Sequence, residues 1–254
     1  MPATALAAPP VDAGLNLRRW LVLAVLCTSL ATVMVANASL NNALPAMAEQ
    51  LHASTSSLQW IVDAYSLVFA GMLFTAGSLG DRFGRKGALQ LGLGIFLLGA
   101  LGGAASGSAT AVIASRGVMG LGAAFIMPAT LSIIVNIFPT SERPRAIAIW
   151  TAIAGAGGAF GPIASGLLLE HFAWNSVFLV NVPIVLLAFV AGIRIVPTSR
   201  DHKATRIDGV GALLSILGIS TLVYAIIEAP SHGWMSTPTM FAFAIAITFL
   251  AVFV

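Results

Sequence analysis

Charge is scarce in this sequence. Lys, Arg, Asp and Glu make up only 8% of its 254 residues, against 58% hydrophobic residues, whereas a soluble domain carries about 25% charged residues. So little charge leaves a water-soluble fold without enough polar surface. A mean hydropathy of +0.97 places the chain among integral membrane proteins. Cysteine is limited to Cys27, inside an apolar run. One thiol excludes an internal disulfide, and no metal or redox spacing accompanies it, so Cys27 reads as a small hydrophobe. The 4 histidines are scattered over polar links, not gathered at one membrane depth as an embedded enzyme would need. A glycine-rich loop of Walker type is also missing, which argues against direct ATP drive. The pI near 9.6 does not read as nucleic-acid binding, because the cations sit in short links rather than in a patch on a soluble face.

Long apolar runs dominate what is present. A bilayer core needs roughly 20 apolar residues per helix, and windows of that size place about eight spans, near 20–42, 58–79, 88–106, 110–136, 145–168, 175–196, 208–228 and 238–254. Arg18 and Arg19 precede the first run, which is too long for a cleaved leader and reads as a first span that doubles as an uncleaved signal. The links between runs hold Pro, Gly, Ser and charge. Arg82, Arg85, Lys86, Arg143, Arg145, Arg194, Arg200, Lys203 and Arg206 fall in or beside alternate links, while the other links contain Glu49, Glu170, Glu228 and histidines but no Lys or Arg. Positive loops face the cytoplasm, so the expected topology puts the N-terminus inside a multi-pass plasma-membrane protein. The expected organisation is a cytoplasmic tail over 1–19, a six-helix unit over 20–196, a cytoplasmic link over 197–207 and two further helices over 208–254. The sequence stops in mid-span at "FLAVFV", which carries the expectation that it is the front part of a longer chain.

Charge is concentrated most in "GSLGDRFGRKGAL", residues 77–89. Gly77, Leu79, Asp81, Arg82, Gly84, Arg85 and Lys86 make the pattern G-x-L-x-D-R-x-G-R-K between spans 2 and 3. An anchor alone would need only the cations; the glycine spacing and the leading acid are extra. Pattern and placement together resemble the signature loop of the major facilitator superfamily. "SRGVMGLGAA", with Arg116, Gly120 and Gly122, resembles that family's fourth-span motif, and "GAGGAFGPIASG", with Gly157, Gly161, Pro162 and Gly166, resembles the fifth-span motif of its exporters. Ser165 stands where the closing glycine pair begins. "LQWIVDAYSL" and "WNSVFLVNVPI" resemble spans 2 and 6 of the drug:proton antiporters with fourteen spans. The resemblance implies an all-α transporter fold: an N-terminal six-helix domain of two inverted repeats, then an inserted helix pair, with a twelve-span arrangement as the rival. It implies proton-driven export of a small amphipathic or cationic substrate by alternating access. No cofactor is implied besides the proton gradient, and the remaining partners are protons and lipid, with no nucleic acid and no metal. Asp81 and Arg85 are then expected to latch the two domains on the inner side, with Glu142 a local partner for a loop cation. Two other readings stay open: a non-transporting sensor or inactive fragment, and, less readily, a polytopic enzyme.

Ionisable groups in hydrocarbon are costly and face a cavity or a partner. Arg116 lies in the outer half of span 4 and Asp63 about one turn into span 2. Arg116 either snorkels to the outer headgroups or belongs to a coupled core. Asp63 either hydrates a helix start or binds proton and substrate. Glu228, at the end of span 7, reads as interfacial. The coupling set is expected to be Asp63, Arg116, Asn41 and Tyr65. In span 5, the glycines permit close helix approach and Pro162 removes a backbone donor, which reads as a bent helix between moving halves. One departure stands out. Antiporters of this group commonly carry an acid in span 1, yet "VMVANASLNNALP" has Ala36 there, with Asn37, Asn41 and Asn42 as an uncharged polar stripe. Asn37-Ala38-Ser39 matches a glycosylation sequon, but its place inside a span discounts it.

Overall fold

A computed structural model describes residues 13–199 and 209–253 of the chain. Most of the tail over 1–19 and of the link over 197–207, with Arg200, Lys203 and Arg206, lies outside the described residues, as does Val254. Helices in order are α1 (Ala13–Gln50), α2 (Thr55–Phe83), α3 (Arg85–Ala104), α4 (Ala109–Ile137), α5 (Arg143–Leu169), α6 (Ser176–Leu179), α7 (Asn181–Ile195), α8 (Gly209–His232) and α9 (Thr237–Phe253). In lipid every backbone polar group must be satisfied internally, which is why apolar runs of this length become helices. Among the described residues 7 spans are long and apolar enough to cross a membrane, α6 and α7 together forming one of them, while the apolar stretch of α9, Thr237–Val252, is shorter.

Side chains set several boundaries. Ser54 caps α2 by accepting from the Ser57 amide (3.1 Å), and Ser108 caps α4 by accepting from Ala111 (3.3 Å). Pro144 sits at the start of α5, where no amide donor is required. Gly84 separates α2 from α3 at φ +128°, a backbone conformation open only to glycine. The expected loop over residues 77–86 is therefore two helices joined by one residue. α1 also departs from expectation. It continues through Pro45 to Gln50, because the apolar window marks the hydrocarbon crossing and not the helix end.

α1 packs on α5 and α7, α2 on α4, and α3 on α4 and α7. Leu26, Leu30, Phe96, Phe138 and Met119 are fully buried among these helices. Trp150 of α5 donates from its indole to the Thr130 hydroxyl of α4 (3.2 Å). α8 pairs with α9 and lies along α2. Glu228, expected at an interface, fastens α8 to α2: its carboxylate accepts from the Ser56 hydroxyl (2.9 Å) and the Trp60 indole (3.1 Å).

Arg19, Arg82, Arg85, Lys86, Arg143, Arg145 and Arg194 all lie at or near helix ends that the alternation of spans brings to one end of the bundle, hereafter the basic end. The opposite end carries Glu49, Ser54, Ser108 and Glu228.

Candidate functional site

Arg116 projects from α4 about two turns past its Ser108 cap, and its side chain is 0% exposed. Snorkelling is thereby excluded: the guanidinium points into the bundle. Its Nε donates to the Ile61 carbonyl of α2 (3.0 Å), and its Nη2 donates to the Asn37 side-chain oxygen of α1 (3.1 Å). The guanidinium carbon lies 4.3 Å from the centroid of the Tyr65 ring, a cation–π contact. Tyr65 in turn donates to the Val33 carbonyl of α1 (3.3 Å). One arginine thus joins three helices. No carboxylate pairs with it among the described residues, and Nη1 is buried with no hydrogen-bond partner there. Gly120, one turn along α4, is what lets the helices come this close, since a Cβ there would strike the Tyr65 carbonyl.

The expected coupling residues are only partly assembled. Arg116 and Tyr65 meet. Asn41 does not reach them; it is exposed, and Asn37, one turn earlier, takes the contact. Asp63 is half-buried and makes no hydrogen bond or ion pair with another described residue. Two residues from both Ile61 and Tyr65, it leaves α2 on nearly the opposite side from Arg116, since each residue turns the helix by about 100°. That side of α2 also carries Ser56 and Trp60, which hold Glu228.

At the basic end, Asp81 is drawn into a compact cluster. Its Oδ1 accepts from Arg85 Nε across the Gly84 break (2.7 Å) and from the Ser132 hydroxyl of α4 (2.8 Å). Arg85 also donates its backbone amide to the Ser199 carbonyl (2.9 Å), and Lys86 Nζ donates to the Ile193 carbonyl of α7 (2.7 Å). Arg82 stays exposed, with its guanidinium 5.5 Å from the Phe83 ring centroid. Gly77 faces Pro128 of α4. Glu142 corrects an expectation: it meets Arg19 of α1 at 3.5 Å rather than a cation of the α2–α3 junction. Sequence spacing could not reveal that, because the partner is more than a hundred positions away.

The glycines of α5 divide between two faces. A Cβ at Gly157 would lie 2.7 Å from Met34 Cβ, and one at Gly161 would lie 2.6 Å from Ala38 Cβ, so these two form the seam against α1. Gly155 and Gly158 face open space, and Gly166 makes only ordinary contact with Asn42. Asn42 donates to the Pro162 carbonyl (2.8 Å) and to the Ser165 hydroxyl (3.0 Å). Ser165 is therefore more than a small residue in place of glycine; its oxygen serves α1. Nearer the basic end, α1 and α5 leave an apolar groove of about 470 Å³, lined by Trp20, Leu23, Cys27, Ala31, Ile149 and Ile153 among others. Among the described residues no group of His, Cys, Asp and Glu is placed to hold a metal.

An all-helical bundle of 7 apolar spans among the described residues, with an arginine buried inside it and a charged helix junction at one end, defines a multi-pass membrane protein. The family follows from comparison. The family model described as Major Facilitator Superfamily matches residues 21–254, and the chain belongs to that superfamily. Over 93% of its length it is 43% identical to "Multidrug efflux pump LfrA" of Mycolicibacterium smegmatis, of which it covers 47%. Over 82% it is 41% identical to "Methyl viologen resistance protein SmvA" of Salmonella typhimurium, of which it covers 42%. The chain spans about half the length of the curated relatives it matches. A crystal structure of the POT family transporter PepTSo superposes with a TM-score of 0.67 over 91% of the chain and 51% of that protein, at 16% identity; this likeness concerns the fold.

Proposed function

We propose that the chain forms the N-terminal part of a proton-driven exporter of small amphipathic compounds, which works by alternating access and performs no covalent chemistry on its substrate. The carrying observation is Arg116: a guanidinium buried at membrane depth, joined to α1 and α2 and lacking a paired carboxylate among the described residues. Such a charge is too costly to keep without use. Relatives named for multidrug efflux and for resistance to methyl viologen, an organic cation, support the reading. In it the basic end lies in the cytoplasm of a cell bounded by this membrane, residues 20–196 are one transporter domain, and residues 208–254 are an added helix pair. Gly77, Asp81, Arg82, Gly84, Arg85 and Lys86 act as the gate; of the span-5 motif Gly157, Gly161, Pro162 and Gly166, the first two glycines keep α5 close to α1 and the Pro162 carbonyl accepts from Asn42. The energy source is the proton gradient, with no cofactor.

Arg116 holds its charge throughout, so it biases its neighbours without carrying the proton. Asp63 is the carboxylate within a span that gains and loses one, on the side of α2 away from the Arg116–Tyr65 contact, while Asn41 adds a polar group on the exposed side of α1. A ligand shifts a two-state equilibrium only through its different affinity for the two states. Substrate-induced proton flux into vesicles containing the full-length protein is the test. Asp63→Asn should remove most of that flux. Wild-type flux from Asp63→Asn would move the coupling acid elsewhere.

A further inference from the structure

We propose that a polar lane between α2 and α8 carries protons from the end opposite the basic end to Asp63, with Glu228 as the relay. This rests on the export reading above and adds the route by which its coupling acid is loaded, giving the added helix pair a part in coupling.

The lane begins in the sequence of α8. Ser220, Tyr224, Glu228 and His232 recur at every fourth residue. Four residues turn a helix by about 400°, so these side chains form one slowly inclined stripe along an otherwise apolar helix. On α2, Ser56, Trp60 and Asp63 fall at spacings of four and three and share a face in the same way. Two contacts fix how the stripes meet. Glu228 reaches Ser56 and Trp60, and further along the seam Ile216 packs against Gly71. The two helices are therefore antiparallel, and the seam runs from Glu228 to Ile216 on α8 as it runs from Trp60 past Asp63 to Gly71 on α2. Asp63 lies within it, one turn deeper than Trp60, beside the part of α8 that carries Tyr224 and Ser220. The Tyr224 ring stands 6.1 Å from that of Trp60, which puts it on the seam as well.

Glu228 is built to receive a proton. Its Oε1 accepts from Ser56 and Trp60, which fixes the carboxylate. Its Oε2 lies 3.6 Å from Nδ1 of His232, whose side chain is 56% exposed. Glu228, His232, Tyr224 and Thr239 also border a cavity of about 50 Å³ between α8 and α9, roomy enough for water. Surface, histidine and carboxylate thus follow one another inward. Of the elements packed around Glu228, α2 brings Asp63, α8 brings Tyr224 and His232, and α9 brings no titratable side chain. Chains of Asp, Glu and His serve as proton relays inside membranes. The step is a proton transfer alone: an O–H bond forms on the Glu228 carboxylate and breaks as the proton moves inward to Asp63. The route also avoids the Arg116 guanidinium on the other side of α2, whose charge would repel a passing proton.

The test measures substrate-induced proton flux, and exchange of labelled for unlabelled probe without a gradient, on the full-length protein in vesicles. Methyl viologen and chloramphenicol are the probes. Glu228→Gln keeps an oxygen for Ser56 and Trp60 but cannot pass a proton, so it should fold and exchange the probes at the wild-type rate. Its proton flux should fall about a hundredfold, the low end of what a positioned proton-transfer group contributes. Glu228→Asp still takes a proton but is one methylene short of both donors, so it should keep more flux than Glu228→Gln. The opposite order, or exchange and flux falling together in Glu228→Gln, would make Glu228 a fastener of α8 and nothing more. Wild-type flux from Glu228→Gln likewise overturns the relay and leaves the export reading standing. Proton flux with neither probe in the wild type overturns the export reading, and this inference with it.

Discussion

α2 and α4 are joined twice, near opposite ends, and the two joints are built differently. In the first, Arg116 of α4 is fully buried and reaches a backbone carbonyl of α2, with Asn37 and Tyr65 around it. In the second, Asp81 of α2 is 41% exposed at its side chain and accepts from Ser132 of α4 and from Arg85 across a one-residue break. The first joint places a charge where changing partner means crossing hydrocarbon. The second sits at a helix break beside water, where exposed ion pairs are worth about 0–1 kcal/mol and exchange of partners is easy. On the proposed export reading the first joint serves as a fixed axis and the second as a releasable latch, a division that follows from the different dielectric surroundings of the two ends.

Arg116 carries the largest expected effect. Arg116→Met should abolish proton-driven export while changing the thermal stability of the purified full-length protein little, or raising it, because an apolar residue of similar volume removes a costly buried charge. Arg116→Lys should also fail, since one ammonium cannot hold the Ile61 carbonyl, the Asn37 oxygen and the Tyr65 ring in the fork geometry of a guanidinium. Export by Arg116→Met at the wild-type rate would make the buried joint structural only, and the contrast with Asp81 would collapse.

Asp81→Asn comes next. It should lower export about tenfold or more, while the amount of inserted protein stays at the wild-type level, because orientation depends on Lys and Arg and not on acids. Loss of a half-exposed carboxylate should lower stability by no more than about 1 kcal/mol. A large export defect with a small stability cost is the behaviour of a latch. Equal losses in both would make it a second axis.

Much of this arrangement was legible in the residues, and the failures share a cause. The spans, the charged junction, the glycine–proline run of α5 and the intramembrane Arg116 are local patterns: length of apolar run, spacing, a charge where none belongs. What escaped depends on how helices are rotated and brought together. Asn37 rather than Asn41 meets Arg116 because of where α1 presents its stripe to α4, and nothing within α1 marks which turn that is. Glu228 reads as interfacial from the sequence, and its partners Ser56 and Trp60 emerge only when α8 is laid on α2. Gly84 was visible as a glycine, but its role as the entire connection between α2 and α3 appears only in its φ of +128°. Ser165 looked like a tolerated substitution; Asn42 shows it to be a partner.

Between the two joints, the seam of α1 with α5 is expected to respond to size rather than charge. A Cβ at Gly161 would sit 2.6 Å from Ala38 Cβ and 3.0 Å from the Ser39 amide nitrogen. Those are backbone and near-backbone atoms that cannot step aside, so Gly161→Ala should cost about 1–3 kcal/mol of thermal stability. Gly158→Ala, facing open space on the same helix, should cost nothing measurable. Equal tolerance at both positions would remove the seam and leave α1 positioned by Arg116 and Asn42 alone.

The smallest expected effect isolates what makes Asp81 special. Glu142 and Asp81 are both carboxylates at the basic end, and both meet an arginine. Glu142 lies 3.5 Å from Arg19, with side-chain exposures of 31% and 18%. Arg19 also stands 6.0 Å from the Phe138 ring centroid, so it has a second contact to fall back on. Glu142 lies in the short link between α4 and α5, and its partner is on α1. By contrast, Asp81 accepts at one oxygen from two different helices, directly beside the glycine that separates α2 from α3. If proximity to an arginine at this end were enough to gate transport, Glu142→Gln and Asp81→Asn should behave alike. If the gate depends on bridging the junction to α4, Glu142→Gln should leave substrate-induced proton flux at the wild-type rate and shift stability by no more than about 1 kcal/mol, the usual ceiling for an exposed pair. Parallel flux measurements on the two variants separate these cases, and a defect in Glu142→Gln as deep as that in Asp81→Asn would assign gating to the charge of the whole basic rim.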